Sequence, residues 1–174
     1  DAIPILTVAQ LIGNGGRAWF HRIEMNLQVV AWFALGALPM ALLGGYVFSL
    51  TPSPLLLKIL GLFILVAVVW RWLGLKILKI FPLHAFTAVG ALFGFLSALV
   101  GGVGPFIVPF FLSFGLVKSA FIGTEAMATV TMHVPKLVAY YQTSLLSVPT
   151  LTVGLMLGPV MIFGSWLGKK IIQH

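Results

Sequence analysis

The residues of this chain best suited to chemistry carry no charge. Residues 98–111, ALVGGVGPFIVPFF, set Gly101, Gly102 and Gly104 ahead of Pro105 and Pro109 in the middle of an apolar run. Glycine and proline are the residues least willing to stay inside a helix. The backbone is therefore expected to break there and to restart with Pro105 at the first helical position of a short helix, Phe106–Ser113. Such a start exposes N–H groups without intrahelical partners, at the positive end of the helix dipole. Glycines let the backbone approach a ligand closely. Gly101, Gly102, Gly104, Pro105 and Phe106 thus have the makings of an anion-binding helix terminus that places no full charge in hydrocarbon. The competing reading is a glycine-rich kink that lets helices pack tightly.

Polar side chains inside apolar stretches are the next candidates. Thr124 can donate a hydroxyl hydrogen to an oxyanion or bond back to a carbonyl one turn earlier. Gln10 and Asn14 are one turn apart, so they give one helix a polar face that lines a site or glues helices together. Glu125 is the only acid well inside a span, and such residues are functional suspects. It is a candidate for proton coupling, against the simpler role of pairing with a basic residue near the membrane surface. His133 and Lys136 share its helix, and Lys136 either attracts anions or snorkels to the far interface. His21 and His84 fall at interfaces and His174 at the end. No set has metal-ligand spacing with a carboxylate, so neither a metal nor a cofactor is assigned. There is no GxSxG, no HExxH and no paired Asp motif, so the chain does not read as an enzyme.

The elements that must position these residues are set by composition. The chain is 60% hydrophobic and 7% charged, with mean hydropathy +1.14. A soluble domain carries about a quarter charged residues. Apolar runs of about 20 residues recur, each able to cross about 30 Å of hydrocarbon. The fold class is therefore an all-α polytopic membrane protein embedded in a lipid bilayer. With no cysteine, disulfides and thiolate metal sites are excluded. The net charge of +7 reads as cytoplasmic retention signals rather than nucleic-acid binding.

Apolar stretches are expected at Ala2–Phe20, Asn26–Phe48, Pro54–Trp72, Ala85–Gly115, Lys118–Tyr141 and Val148–Leu167. The stretch Ala85–Gly115 is too long for one span and too short for two. It is either one kinked span or a re-entrant hairpin that enters and leaves by the same face. In the hairpin arrangement, eight of the ten Lys and Arg (Arg17, Arg22, Arg71, Lys76, Lys79, Lys118, Lys169 and Lys170) share one face; a full crossing splits them five against three. The positive-inside rule favours the hairpin, with that face cytoplasmic at the inner membrane.

A shift of 120 residues lays Leu35, Pro39 and Gly44 on Leu155, Pro159 and Gly164, while the basic residues change ends. That is the pattern of an inverted-topology repeat. Residues 1–75 then form part of a first repeat with three transmembrane helices. Residues 76–84 form a cytoplasmic amphipathic linker. Residues 85–174 form a second repeat of one re-entrant hairpin and two transmembrane helices.

The segment FGFLSALVGGVGPFIVPFFLSFGLVKSAFIGTEA resembles the glycine-rich hairpin and following helix of the TauE/SafE sulfite exporter family. ILTVAQLIGNGGRAWFHRIEMN and GALPMALLGGYVF resemble the helices after that family's first glycine motif. The most specific parts are Gly101 to Pro109 and Gly123-Thr124. The resemblance implies a permease for a small anion such as sulfite, a sulfonate or a carboxylate, with a first hairpin before Asp1 and a last helix after His174. Val103, which interrupts the glycine run, and Glu125 after Thr124 depart from the usual pattern. The rival reading is a non-transporting accessory subunit. Either fits a homo-oligomer or a larger membrane complex.

Overall fold

Each helix begins and ends where local backbone chemistry requires it. The computed structural model describes residues 2–73 and 81–172. Asp1, the start of the expected linker with Lys76 and Lys79, the end of the chain with His174, and the side chains of Arg71 and Lys169 lie outside the described residues. Helix α1, Ala2–Phe20, gives way to a turn, and Asn26 caps α2, Leu27–Leu50, its Oδ1 accepting the Val29 N–H at 3.1 Å. Such a cap satisfies a backbone donor that the helix cannot. Thr51 and Pro52 separate α2 from α3, Ser53–Trp72. A short 3₁₀ turn, Leu83–Ala85, leads into α4, Phe86–Val100, and α5 follows at Gly104–Ser113. Helices α6, Lys118–Gln142, and α7, Val148–Ile172, complete the order. Among the described residues there is no strand.

Four helical stretches are long and apolar enough to cross a membrane: Leu27–Leu50, Ser53–Trp70, Leu83–Val100 and Val148–Gly168. Helices α1 and α6 are long enough but more polar. They pack against one another and against α7 and α2, so their polar side chains face protein. In α6, Glu125, Thr129, His133 and Lys136 are buried. By contrast, α3 has no buried residue among those whose side chains are described, and its Leu57, Leu62, Leu65 and Val68 present apolar surface outward.

Glycine sets the closest helix crossing. A Cβ at Gly36 of α2 would lie 1.9 Å from the Thr87 carbonyl oxygen, and one at Gly90 of α4 would lie 2.1 Å from that of Phe33. Small residues of this kind let membrane helices touch backbone to backbone. Gly44 meets Phe95 and Ala98 further along, so α2 and α4 run parallel. Gly45 against Ala139, with Asn26 bonded to Thr124, makes α2 and α6 parallel as well. Gly154 against Val8 and Gly158 against Ile12 make α1 and α7 parallel. Asn14 beside His133 and Arg17 beside Glu125 make α1 antiparallel to α6.

Aromatic contacts show how the chain turns between α4 and α5. Phe86, at the start of α4, has its ring centroid 5.0 Å from that of Phe111 and 5.5 Å from that of Phe114, at the end of α5. Phe93 lies 5.7 Å from Phe110. The far ends of the two helices therefore meet, and the chain reverses through residues 101–103. Phe63 of α3 closes edge-on over Phe106 at 4.9 Å. Helix α5 begins at Gly104, slightly earlier than expected, because the Val103 carbonyl accepts the N–H groups of Phe106 at 3.0 Å and Ile107 at 3.3 Å. A ten-residue helix is about 15 Å long, half the hydrocarbon thickness.

Candidate functional site

The reversal between α4 and α5 is built from its amides upward. Gly101 closes α4 by donating its N–H to the Ser97 carbonyl at 3.0 Å, and its φ of +81° lies in the left-handed region that only glycine adopts readily. Val103, buried, supplies the carbonyl that starts α5. Pro105 has no N–H. The N–H groups of Gly102, Val103 and Gly104 have no protein acceptor among the described residues. Gly102 is exposed, and nothing lies within 4 Å of where its Cβ would stand. The free donors thus precede Pro105, whereas the Phe106 amide is already bonded and its ring packs on Phe63.

A polar seam between the antiparallel helices α1 and α6 runs toward this turn. At one end His21 Nδ1 lies 2.6 Å from Ser119 Oγ. Next, Arg17 Nη2 donates to Glu125 Oε2 at 2.7 Å, and the Thr129 hydroxyl donates to Oε1 at 3.1 Å. Arg17 Nη1 also donates to Asn14 Oδ1 at 3.1 Å. This fixes the Asn14 amide, whose Nδ2 lies 3.4 Å from His133 Nε2. Lys136 follows, fully buried, and then Tyr140, whose hydroxyl donates to the Ala98 carbonyl at 2.9 Å, three residues before Gly101.

The chain belongs to the sulfite exporter TauE/SafE family. That family's model matches residues 1–174. No curated protein and no solved structure matches the chain. TauE/SafE membership makes this a transporter-family protein of the anion or sulfite type and not an enzyme.

Within this TauE/SafE chain the expected site residues do not all gather. Gly101, Gly102, Gly104, Pro105 and Phe106 form the turn. Thr124 is elsewhere. Its hydroxyl donates to the Ala120 carbonyl at 2.6 Å and accepts the Asn26 N–H at 2.9 Å. Along α6 it stands about 24 Å from Tyr140, at 1.5 Å per residue. Asn14 sits in the seam. Gln10 is half-buried and opposes Lys136 in the register set by Asn14 with His133, and its side chain has no hydrogen-bond partner among the described residues. Glu125 is held by Arg17 and Thr129. Lys136 does not snorkel, since no part of it reaches the surface.

Sequence reasoning passed over Arg17, Thr129 and Tyr140. A signal was present: Thr7, Gln10, Asn14, Arg17 and His21 recur at helical spacing along one face of α1, as Glu125, Thr129, His133, Lys136 and Tyr140 do along α6. A separate cleft of about 730 Å³ between α3, α4 and α5 is lined by Phe63, Ala67, Trp70, Phe93, Phe106 and Pro109. Its wall is mostly apolar and carries no charged side chain.

Proposed function

We propose that this TauE/SafE chain belongs to a secondary transporter that carries a small anion, sulfite, a sulfonate or another organosulfur or carboxylate anion, across the cytoplasmic membrane. One observation carries the reading: three successive amides, those of Gly102, Val103 and Gly104, lack acceptors at a helix start within a membrane-embedded bundle. Unpaired backbone is tolerated at such depth only where it lines a cavity or meets a ligand. An oxyanion arriving there exchanges hydration for N–H donors and the positive end of α5.

The α4–α5 pair is, in this reading, a re-entrant hairpin whose arms both return to the cytoplasmic side, where the basic ends of the other helices lie. The meeting of Phe86 with Phe111 and Phe114 supports it. The inverted repeat relates α1 to α6 and α2 to α7. Under that exchange the α1–α7 contact becomes the α6–α2 contact, and both are extensive and parallel. Transport then exposes the turn alternately to each side, as rocking of one repeat against the other allows.

Ligand-dependent thermal stabilisation of the detergent-solubilised protein tests this. The panel is sulfite, sulfate, thiosulfate, taurine, sulfoacetate and acetate, with chloride at equal ionic strength. A ligand that binds only the folded state raises its apparent stability. We expect a selective shift for one anion, lost in Gly102→Leu, whose side chain would enter the open space over the amides. A flat response across the panel would leave the accessory-subunit reading in its place.

A further inference from the structure

Among the described residues, two buried side-chain polar atoms have no hydrogen-bond partner: His133 Nδ1 and Lys136 Nζ. They stand three residues apart on α6, and side chains at that spacing are neighbours. Both are donors. Arg17 can only donate, so Asn14 Oδ1 must accept from it, and Asn14 Nδ2 is left to donate to His133 Nε2. A neutral imidazole that accepts at Nε2 carries its hydrogen at Nδ1. The ammonium of Lys136 offers three hydrogens and accepts none. The half-buried Gln10 amide stands opposite Lys136 without bonding it, so these buried donors remain open to an acceptor from outside the chain.

The neighbours of Lys136 lead from these donors toward the glycine turn. Lys136 is one helical turn from Met132, which packs in one core cluster with Val100, Val103 and Ile107. It is one turn from Tyr140 on the other side, whose hydroxyl is bonded to the Ala98 carbonyl. Its backbone lies against Gly45, next to Gly44, which meets Ala98. No carboxylate among the described residues balances it. Glu24 is exposed beyond α1, and Glu125 is paired with Arg17 about 16 Å away along α6, at 1.5 Å per residue. An isolated buried charge costs several kcal/mol, and a bound anion would offset that cost.

From this geometry we infer that Lys136 supplies the full positive charge of the anion site, its ammonium drawing a small oxyanion that the amides of Gly102, Val103 and Gly104 receive at the turn. The inference rests on the anion-carrier reading and sharpens it. The preferred ligand bears a net negative charge, and a zwitterion such as taurine, whose own ammonium would face Lys136, is disfavoured.

The test is a sulfite titration of the whole protein in detergent, read by thermal stabilisation and repeated for Lys136→Met, Lys136→Gln and Lys136→Arg. Methionine removes the charge and keeps an unbranched apolar chain, so Lys136→Met should melt no lower than the wild type without ligand. Its sulfite midpoint should rise about ten- to a hundredfold, the worth of a charge-assisted hydrogen bond, and Lys136→Arg should retain most of the affinity. A purely structural lysine would lower the melting temperature without ligand and leave the midpoint in place. If Lys136→Met fails to fold, Lys136→Gln gives the same reading. An unchanged midpoint in the folded variant overturns the role of Lys136 and leaves the carrier standing. A wild type that responds to no anion overturns both.

Discussion

The Arg17–Glu125 pair separates a structural from a proton-carrying role for the one acid buried in α6. Glu125 is 6% exposed and Arg17 34%, with 2.7 Å between Nη2 and Oε2. Breaking a buried pair from one side costs about 3–5 kcal/mol, because the remaining charge is left without compensation. The two partners are not equally buried, so the two substitutions should not cost the same. Arg17→Met strands Glu125 with only the Thr129 hydroxyl as a donor, and it should cost about 3 kcal/mol, the lower end of that range because water reaches the arginine. Glu125→Gln keeps an acceptor for Arg17, which can still reach water, and it should cost about 1–2 kcal/mol. In the double variant neither charge is stranded, so its loss should fall short of the sum by about 1–2 kcal/mol. Reversible unfolding by SDS titration in mixed micelles, followed by tryptophan fluorescence, measures all three. Additive losses, or an Arg17→Met variant within about 0.5 kcal/mol of the wild type, would refute the pairing. Glu125→Gln that keeps full stability yet moves no anion would instead give Glu125 the proton-coupling role.

Two further expectations test the scaffold and the site boundary. Gly36→Ala drives a methyl group to within 1.9 Å of the Thr87 carbonyl oxygen, where backbone leaves no room to relax. It should cost about 3 kcal/mol or more in the same titration, the upper end for overpacking, whereas Gly61→Ala, which meets nothing within 4 Å, should be silent. Thr124→Val removes the acceptor of the Asn26 N–H and should lower stability by about 1–2 kcal/mol. Its anion-induced thermal shift should equal that of the wild type, and loss of that shift would return Thr124 to the binding site.

The helix bounds were legible in the sequence because hydropathy and backbone preference act over short range. Ala2–Phe20 and Lys118 as a helix start read correctly from apolar runs and their punctuation, and the break after Val100 followed from the glycines there, although α5 restarts at Gly104, one residue before Pro105. Family membership was legible for the same reason, since it rests on local motifs such as Gly101 to Pro109.

Only the tertiary structure decided which polar groups are already satisfied. The sequence leaves Thr124 open between an oxyanion donor and a back-bond to its own helix; the structure shows the back-bond to Ala120 and adds Asn26, far away in sequence, against the hydroxyl. Lys136 could attract anions or snorkel by sequence, and its complete burial against α2 excludes the snorkel. Arg17 stands near the end of its helix and reads as an interfacial charge, yet it crosses to a carboxylate on α6. Whether a donor is spent or free depends on which helices touch, and a single sequence carries no direct record of those contacts. The backbone break was written in glycine and proline; that the lysine on α6 is buried without a partner emerged only when the helices were laid side by side.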